Sequence, residues 1–584
     1  MPAHRPFPSP RFRAALLGAI GLYIIAPGAR AQSPQFSDQT LAAGLTAIHT
    51  STPGTQLSWM TGGIAAGDFN NDGWQDLFVL GGPGAPDKLY INNHDGTFTD
   101  HAAEWNVART HWGFGIAVGD YDNDGFLDLY ITSGGADGLH CRHLLYRNTG
   151  HGSFTEGALA AGVQSTANSV YDGFGAAWGD YDLDGFLDLA VAGWQYNSGG
   201  NHLFHNNGDG TFTDTTAALN YNMRYVGGYS PRFVDMNGDR YPELLWTGDF
   251  GSSKYFINNT NGTFTEHTAE SGVGLDGNGM GTAVGDFNND GRPDWYVTSI
   301  FSTSSYPGVP GTGNMLYMNG GGHAFTEVGV SRAVRQGGWG WGAVATDLRN
   351  SGHLDIVATN GWPDPYYGNQ FMADPSCVFF NSGSIPFTNA VPGCGITHTG
   401  QGRGIVAFDY NNNGTQDILI ATNAGPLTLY RNDRSGPNSN FLRIFLNTHA
   451  SSPTRALAPN GYGAHVVATA AGISQHRWIC GGSNYLSQSE LSAHFGLGTA
   501  TTISQLRVEW PDGAVTLRAN IPTNQTITIS SCAADWNADG GLSVQDIFDF
   551  LTSWFATQAD FNASGDTTVQ DIFDFLAAWF AGCA

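Results

Sequence analysis

The sequence predicts a mainly-β chain: a seven-bladed β-propeller closed by its N-terminal strand, a small β domain, and a C-terminal pair of α-helices. Three observations predict it. The pattern D-x-[DN]-x-[DN]-G-x-x-[DE] returns seven times, twice imperfectly, from Asp68, Asp120, Asp180, Asp235, Asp286, Asp347 and Asp409, at intervals of 51 to 62 residues. A long, nearly fixed period marks one supersecondary unit stacked many times. Each repeat also reads as four short strands; in the second these are 113–118, 127–132, 143–147 and 152–156, separated by Gly- and Asn-rich turns. Near the end, DIFDFL at 546–551 recurs at 571–576 in a helical context.

Taken in order, residues 1–31 read as an export signal. Arg5, Arg11 and Arg13 precede an apolar stretch at 14–26, and Ala29-Arg30-Ala31 offers small residues for cleavage. The apolar run is too short to span a bilayer, so a secreted protein with no membrane span is expected. Residues 32–433 hold the blades. The first six end in Phe98, Phe154, Phe212, Phe264, Phe325 and Phe387, and the seventh lacks such a tail. FSDQTLAAGL at 36–45 resembles FTEGALAAGV at 154–163, so the N-terminal strand is expected to complete the last blade and remove free sheet edges. In 434–530 the acidic loops stop and alternating runs such as 442–446 and 506–510 indicate the small β domain; 532–584 is the helical pair.

The formal net charge is −26, which argues against nucleic acid as a partner. About half of the 50 acidic residues fall in the repeated loops or their C-terminal counterparts. Without cations such a ring repels itself, and bound metal should stabilise it. Six cysteines in an exported chain favour disulfides. Cys377 and Cys394 share a loop-rich stretch, Cys532 and Cys583 bracket the helical pair, and the pairing of Cys141 and Cys480 stays open. No catalytic residue is nominated: H-E-x-x-H, G-x-S-x-G and P-loop motifs are absent, and Gly113-Phe114-Gly115 sits in a strand with no helix after it.

The repeated spacing carries chemistry. Oxygens at positions 1, 3, 5 and 9, with a carbonyl near 7, curl around a hard cation, and glycine at 6 permits the turn. The loops resemble the FG-GAP/VCBS repeats of integrin-like propellers over roughly 36–433, which implies Ca²⁺. By that resemblance the ligands are Asp68, Asn70, Asp72 and Asp76; Asp120, Asp122, Asp124 and Asp128; Asp180, Asp182, Asp184 and Asp188; Asp235, Asn237, Asp239 and Glu243; Asp286, Asn288, Asp290 and Asp294; and, with two carboxylates only, Asp409, Asn411, Asn413 and Asp417. The fourth copy has Arg240 in place of glycine. The sixth has Arg349 and Ser351 at positions 3 and 5, where the arginine is expected to fill the cation's place.

Residues 441–530 resemble an ASPIC/UnbV domain through NGYGA at 460–464, YLSQ at 485–488, HFGLG at 494–498 and VEWPDG at 508–513. Propeller and domain together resemble the cartilage-acidic-protein-like family, which implies an extracellular Ca²⁺-binding or adhesive role. Residues 532–584 resemble a type I dockerin, two half EF-hands in tandem. That implies Ca²⁺ at Asp535, Asn537, Asp539, Ser543 and Asp546, and at Asp560, Asn562, Ser564, Thr568 and Asp571. It also implies docking to a cohesin-like receptor, with Val544-Gln545 and Val569-Gln570 where recognition residues fall. The face opposite the cation loops receives Trp194, Tyr196, Tyr306, Trp362, Tyr366 and Tyr367, aromatics suited to a glycan or an extracellular protein. The expectation is a secreted, non-enzymatic recognition protein; the alternative is a component of polysaccharide degradation, an enzyme or its accessory.

Overall fold

The computed structural model describes residues 36–582, apart from 53–55, 135–141, 165–172, 303–310, 364–369, 392, 449–455, 483, 538–541 and 562–565. The described residues fall in one compact unit.

Each of the seven repeats forms a four-stranded antiparallel sheet. In the first, Ile64–Gly67, Asp76–Val79, Lys88–Asn92 and Phe98–Asp100 pair in chain order. The seventh is built from Gly402–Phe408, Asp417–Thr422 and Thr428–Asn432 and takes its outer strand from Phe36–Asp38, with Phe36 opposite Asn432. The strands are buried on both faces because neighbouring sheets stack. Side chains alternate along a strand, so Leu77 and Val79 pack with Val406 and Leu419 of the seventh sheet. Phe78 between them packs with Val118 and Leu129 of the second.

A side-chain ladder runs round the stack. Each third strand ends in asparagine, and its Nδ2 donates to a carbonyl in the acidic loop of the preceding sheet at 2.7–2.9 Å: Asn92 to Tyr410, Asn148 to Phe69, Asn206 to Tyr121, Asn258 to Tyr181, Asn319 to Met236, Asn381 to Phe287 and Asn432 to Leu348. The bond from Asn92 to Tyr410 joins the first sheet to the seventh.

Residues 440–530 form two further sheets. Asn440–Asn447 pairs antiparallel with Ala493–Gly498 and parallel with Gln525–Ser530. His465–Ala470, Ile473–Trp478, Thr502–Glu509 and Val515–Pro522 make the other. Between these strands the segment around 480–490 leaves the domain and enters the space bounded by the first strands of the sheets. Gln488 pairs its backbone with Ile64 and Ala66, Leu486 accepts from Ile116 N, and Asn484 accepts from Ala343 N and donates to Ile405 O. The Gln488 amide spans Val118, accepting from its N at 2.9 Å and donating to its O at 2.8 Å. Tyr485 and Leu486 at the tip are fully buried and hold left-handed φ values of 104° and 56°. Such strained backbone persists only where surrounding contacts fix it. A Cβ at Gly63 would lie 2.6 Å from Leu486 O, so glycine lets the plug approach.

Two helices, Val544–Phe555 and Val569–Ala581, close the described chain. They stack Phe550 on Phe575 at 4.1 Å, against Trp536 and Phe561.

The cysteines correct one expectation. Cys377 and Cys394 are both free and buried. Cys377 packs between the fifth and sixth sheets and Cys394 between the sixth and seventh, so one stretch of sequence delivers them to different interfaces. Burial pushes the Cys377 thiol up to about 11. Cys480 is free, and Cys532 is disulfide-bonded. Cys141 and Cys583 lie outside the described residues.

Candidate metal centres

Each acidic loop joins the first two strands of its sheet and is wound on its own carboxylates. In loop two, Asp120 accepts from Asp124 N at 3.0 Å and Gly125 N at 2.9 Å. Asp128 accepts from Asn148 N at 2.7 Å and Tyr121 N at 3.1 Å. The same bonds recur in loop three at Asp180 and Asp188, loop one at Asp68 and Asp76, and loop five at Asp286 and Asp294. Position 6 is left-handed in all seven: Arg240 takes φ 82° where Gly73 takes 85° and Gly125 95°. The fourth loop thus makes the same turn without glycine.

This winding gathers oxygen donors. Ligand atoms of Asp120, Asp122 and Asp128 lie within 4.8 Å of one another, as do those of Asp180, Asp182 and Asp184, and those of Asp182, Asp188 and His205. Burial raises the position-9 carboxyls: Asp76, Asp128, Glu243 and Asp417 well above the usual range, Asp188 to about 7 and Asp294 to about 8. Each is held charged only if compensated. The donor set suits a hard divalent cation, and three oxygens test the fit. Asp122 Oδ1, Asp182 Oδ1 and Glu243 Oε1 are buried with no hydrogen-bond partner. They occupy positions 3, 3 and 9 of loops two, three and four, where a ligand oxygen is required.

Basic side chains lean on several loops. Arg147 pairs with Asp122 and with Asp124 at 2.7 Å, and His205 lies 3.1 Å from Asp188. In loop six Arg349 Nη2 donates to Asp355 at 2.9 Å and to Asn381 O at 2.5 Å, so the guanidinium stands where the sequence places it. In loop seven Arg443 of the small domain lies 3.9 Å from Asp409, bonds Asn412 at 2.6 Å and pairs with Glu490 of the plug.

In the C-terminal pair, Asp535, Asp546, Asp560 and Asp571 are buried together with the helix starts. Ser543 and Thr568 cap the helices, their backbone N–H groups donating to Asp546 at 2.8 Å and Asp571 at 2.7 Å. Capping boxes therefore account for part of the signal that resembles half EF-hands. Asp539, Asn562 and Ser564 lie outside the described residues.

The expected ligand face is corrected at Trp362, which is buried, stacked on Trp339 at 4.8 Å and lying beside the Arg403 guanidinium. It follows directly from the sixth sheet's second strand, which carries it inward. Trp194 is half-buried and donates to Asp249 at 2.9 Å. Tyr196 stays 43% exposed beside Phe250, 57% exposed, with ring centroids 5.9 Å apart. Tyr306, Tyr366 and Tyr367 lie outside the described residues. Phe250 was legible only as a turn residue, and the ladder asparagines only as an Asn ending every third strand.

The chain carries FG-GAP-like repeats, matched at 47–131, 180–246 and 235–297, and an ASPIC and UnbV domain, matched at 455–535. It is similar to cartilage acidic protein 1 of Mus musculus, at 24% identity over 87% of this chain and 78% of the relative. Against that of Homo sapiens the figures are 25%, 85% and 74%. A streptogramin B lyase structure superimposes on 69% of this chain and 98% of its own, with TM-score 0.40 and 15% identity.

Proposed function

We propose that this is an extracellular recognition protein, a seven-bladed propeller rigidified by Ca²⁺, that binds a protein or glycan and is tethered through its C-terminal helices. The observation that carries the reading is the set of buried, unpartnered carboxylate oxygens at Asp122, Asp182 and Glu243, each at a ligand position of a wound acidic loop. Loops one to five would hold the ions through positions 1, 3, 5 and 9. Bound Ca²⁺ supplies the positive charge that lets their buried carboxyls stay ionised. Arg147, which pairs with Asp122 and Asp124, would have to give them up to an ion in loop two. Similarity to cartilage acidic protein 1 and the FG-GAP-like repeats support an extracellular role, and the reading involves no catalysis.

The recognition surface is the exposed aromatic pair Tyr196 and Phe250, with Trp194 behind it; flat rings of this kind stack on sugars and on protein side chains. The tether rests on the duplicated helices. Val544, Phe548 and Phe555 are exposed on one, and Val569, Phe573 and Phe580, 25 residues on, are exposed on the other. A cohesin-like receptor fits that repeated apolar face. Elemental analysis and calorimetric titration of the demetallated full chain test the reading: one Ca²⁺ for each of loops one to five is expected, and no Ca²⁺ uptake overturns it. On a glycan and matrix-protein array the Tyr196→Ala/Phe250→Ala variant should lose binding that the Phe548→Asp/Phe573→Asp variant keeps.

A further inference from the structure

The plug does not fill the space it enters. It is hydrogen-bonded to the first strands of the first, second, sixth and seventh sheets. On the side of the fourth to sixth it leaves a cavity of about 140 Å³, bounded by Arg232, Ala283, Val344, Arg477, Cys480 and Ser489. That is room for about four or five waters, at roughly 30 Å³ each.

Arg232 sets the chemistry of this cavity. Among the described residues four arginines are buried: Arg232, Arg403, Arg443 and Arg518. Arg443 pairs with Glu490, Arg403 lies 4.3 Å over Trp341, and Arg518 lies 4.2 Å over Trp536. Arg232 has neither a carboxylate nor an aromatic ring against it among the described residues. Its Nη2 donates to Asn484 Oδ1 at 2.8 Å and Gly482 O at 3.3 Å, its Nη1 faces the free thiol of Cys480 at 3.7 Å, and its Nε has no partner. A buried guanidinium so placed lacks the counter-charge that burial demands. Arg477, on the same wall, donates to the carbonyls of His494 and His476, lies 5.1 Å over Phe495 and feels the carboxylates of Asp347 and Asp286, with no ion pair within 4 Å among the described residues. The one carboxylate on the wall, Glu490, is taken by Arg443, Gln416 and Ser492.

We propose that the cavity beneath the plug binds a small tetrahedral oxyanion, sulfate or phosphate, held by Arg232 and Arg477 with the Ser489 hydroxyl and Cys480 thiol against it. The anion supplies the missing counter-charge and clamps the plug to the fourth and fifth sheets. Guanidinium groups match such oxygens bidentately.

The test uses the full chain saturated with Ca²⁺ and reads iodoacetamide alkylation of each free thiol by mass spectrometry. Sodium sulfate, and separately phosphate, should slow alkylation of Cys480 saturably, about tenfold at a tenfold excess over Kd, while Cys377 and Cys394 serve as internal controls. Sodium chloride of equal ionic strength should do nothing. Arg232→Met should abolish the protection with the near-ultraviolet circular dichroism unchanged; if that variant does not fold, Arg477→Met provides the same comparison. Equal protection by chloride, no protection by either oxyanion, or full protection retained in a folded Arg232→Met chain overturns the proposal. Because the thiol readout is independent of Ca²⁺ stoichiometry, its failure leaves the calcium reading standing.

Discussion

Replacing Gln488 by alanine tests whether the small domain and the repeats form one structure. The Gln488 amide accepts from Val118 N at 2.9 Å, donates to Val118 O at 2.8 Å and reaches the Tyr462 hydroxyl at 3.3 Å, all buried. Alanine removes the partner of Val118 N, while Val118 O keeps the Tyr462 hydroxyl, which also donates to it. Leaving that buried backbone donor unpaired costs about 1–3 kcal/mol. The assay is urea unfolding with Ca²⁺ saturating, followed by tryptophan fluorescence, beside the exposed control Gln558→Ala. The wild-type chain should lose its sheets and its small domain together, because the plug bonds to both. The Gln488→Ala midpoint should fall by that amount while the control stays within about 0.5 kcal/mol of wild type. A Gln488→Ala loss inside the control's range refutes the plugged channel.

Three more outcomes follow. Chelation should lower the melting temperature steeply, since a site at a hundredfold excess over Kd contributes about 2.7 kcal/mol; an unchanged melt by differential scanning calorimetry would refute calcium in the loops. Asn206→Ala strips a donor from Tyr121 O and Leu187 O and should cost about 2–6 kcal/mol by the same assay. With metal removed, pH should act in an unusual direction. Burial raises Asp188 and Asp355 to about 7 and Asp294 to about 8 in the fold, above the unfolded value near 4. The folded chain then binds more protons across about pH 4 to 8. Its stability is highest below that window and is lost as pH rises through the folded values. The chelated protein should therefore melt higher at pH 5 than at pH 8, while acid should destabilise the Ca²⁺-loaded protein by displacing the ions.

Much of this architecture was legible in the sequence because the repeat states it seven times. Short apolar runs between Gly- and Asn-rich turns marked the strands: Leu77, Phe78 and Val79 are all apolar because each side of the sheet meets another sheet. The Phe36–Asp38 pairing was visible because FSD matches the outer strands FTE and FTD. Arg349 was legible too, since a loop with arginine and serine at positions 3 and 5 brings a cation in place of ligand oxygens. What escaped is contact across long separations. Asn148 reads as a turn residue, and nothing in LLYRN says that its amide reaches Phe69, 79 residues away. YLSQ marked a domain resemblance, but its path into the channel depends on where seven other strands stand. Trp362 and Cys377 read as loop residues because a strand that runs inward and a loop that runs outward have the same composition.

The two loops with the fewest carboxylates are both held by the small domain. Asn350 of loop six donates to Ser439 O at 3.0 Å and accepts at its carbonyl from Gly498 N at 2.8 Å. Gly414 of loop seven accepts from His494 at 3.2 Å, and a Cβ there would lie 1.9 Å from the Phe441 ring. Arg349 and Arg443 arrive at these loops with the chain itself. Each of the two loops thus carries one built-in cation, which in loop seven is shared with Glu490. Hydrogen exchange should separate the two classes: after chelation, amides of loops one to three, Asp72, Asp124 and Asp184 among them, should lose protection, while Asp409 and Ala407, which donate to Glu490 and Ser489, should keep theirs. Uniform loss across all seven loops would show that the arginines do not replace the ion.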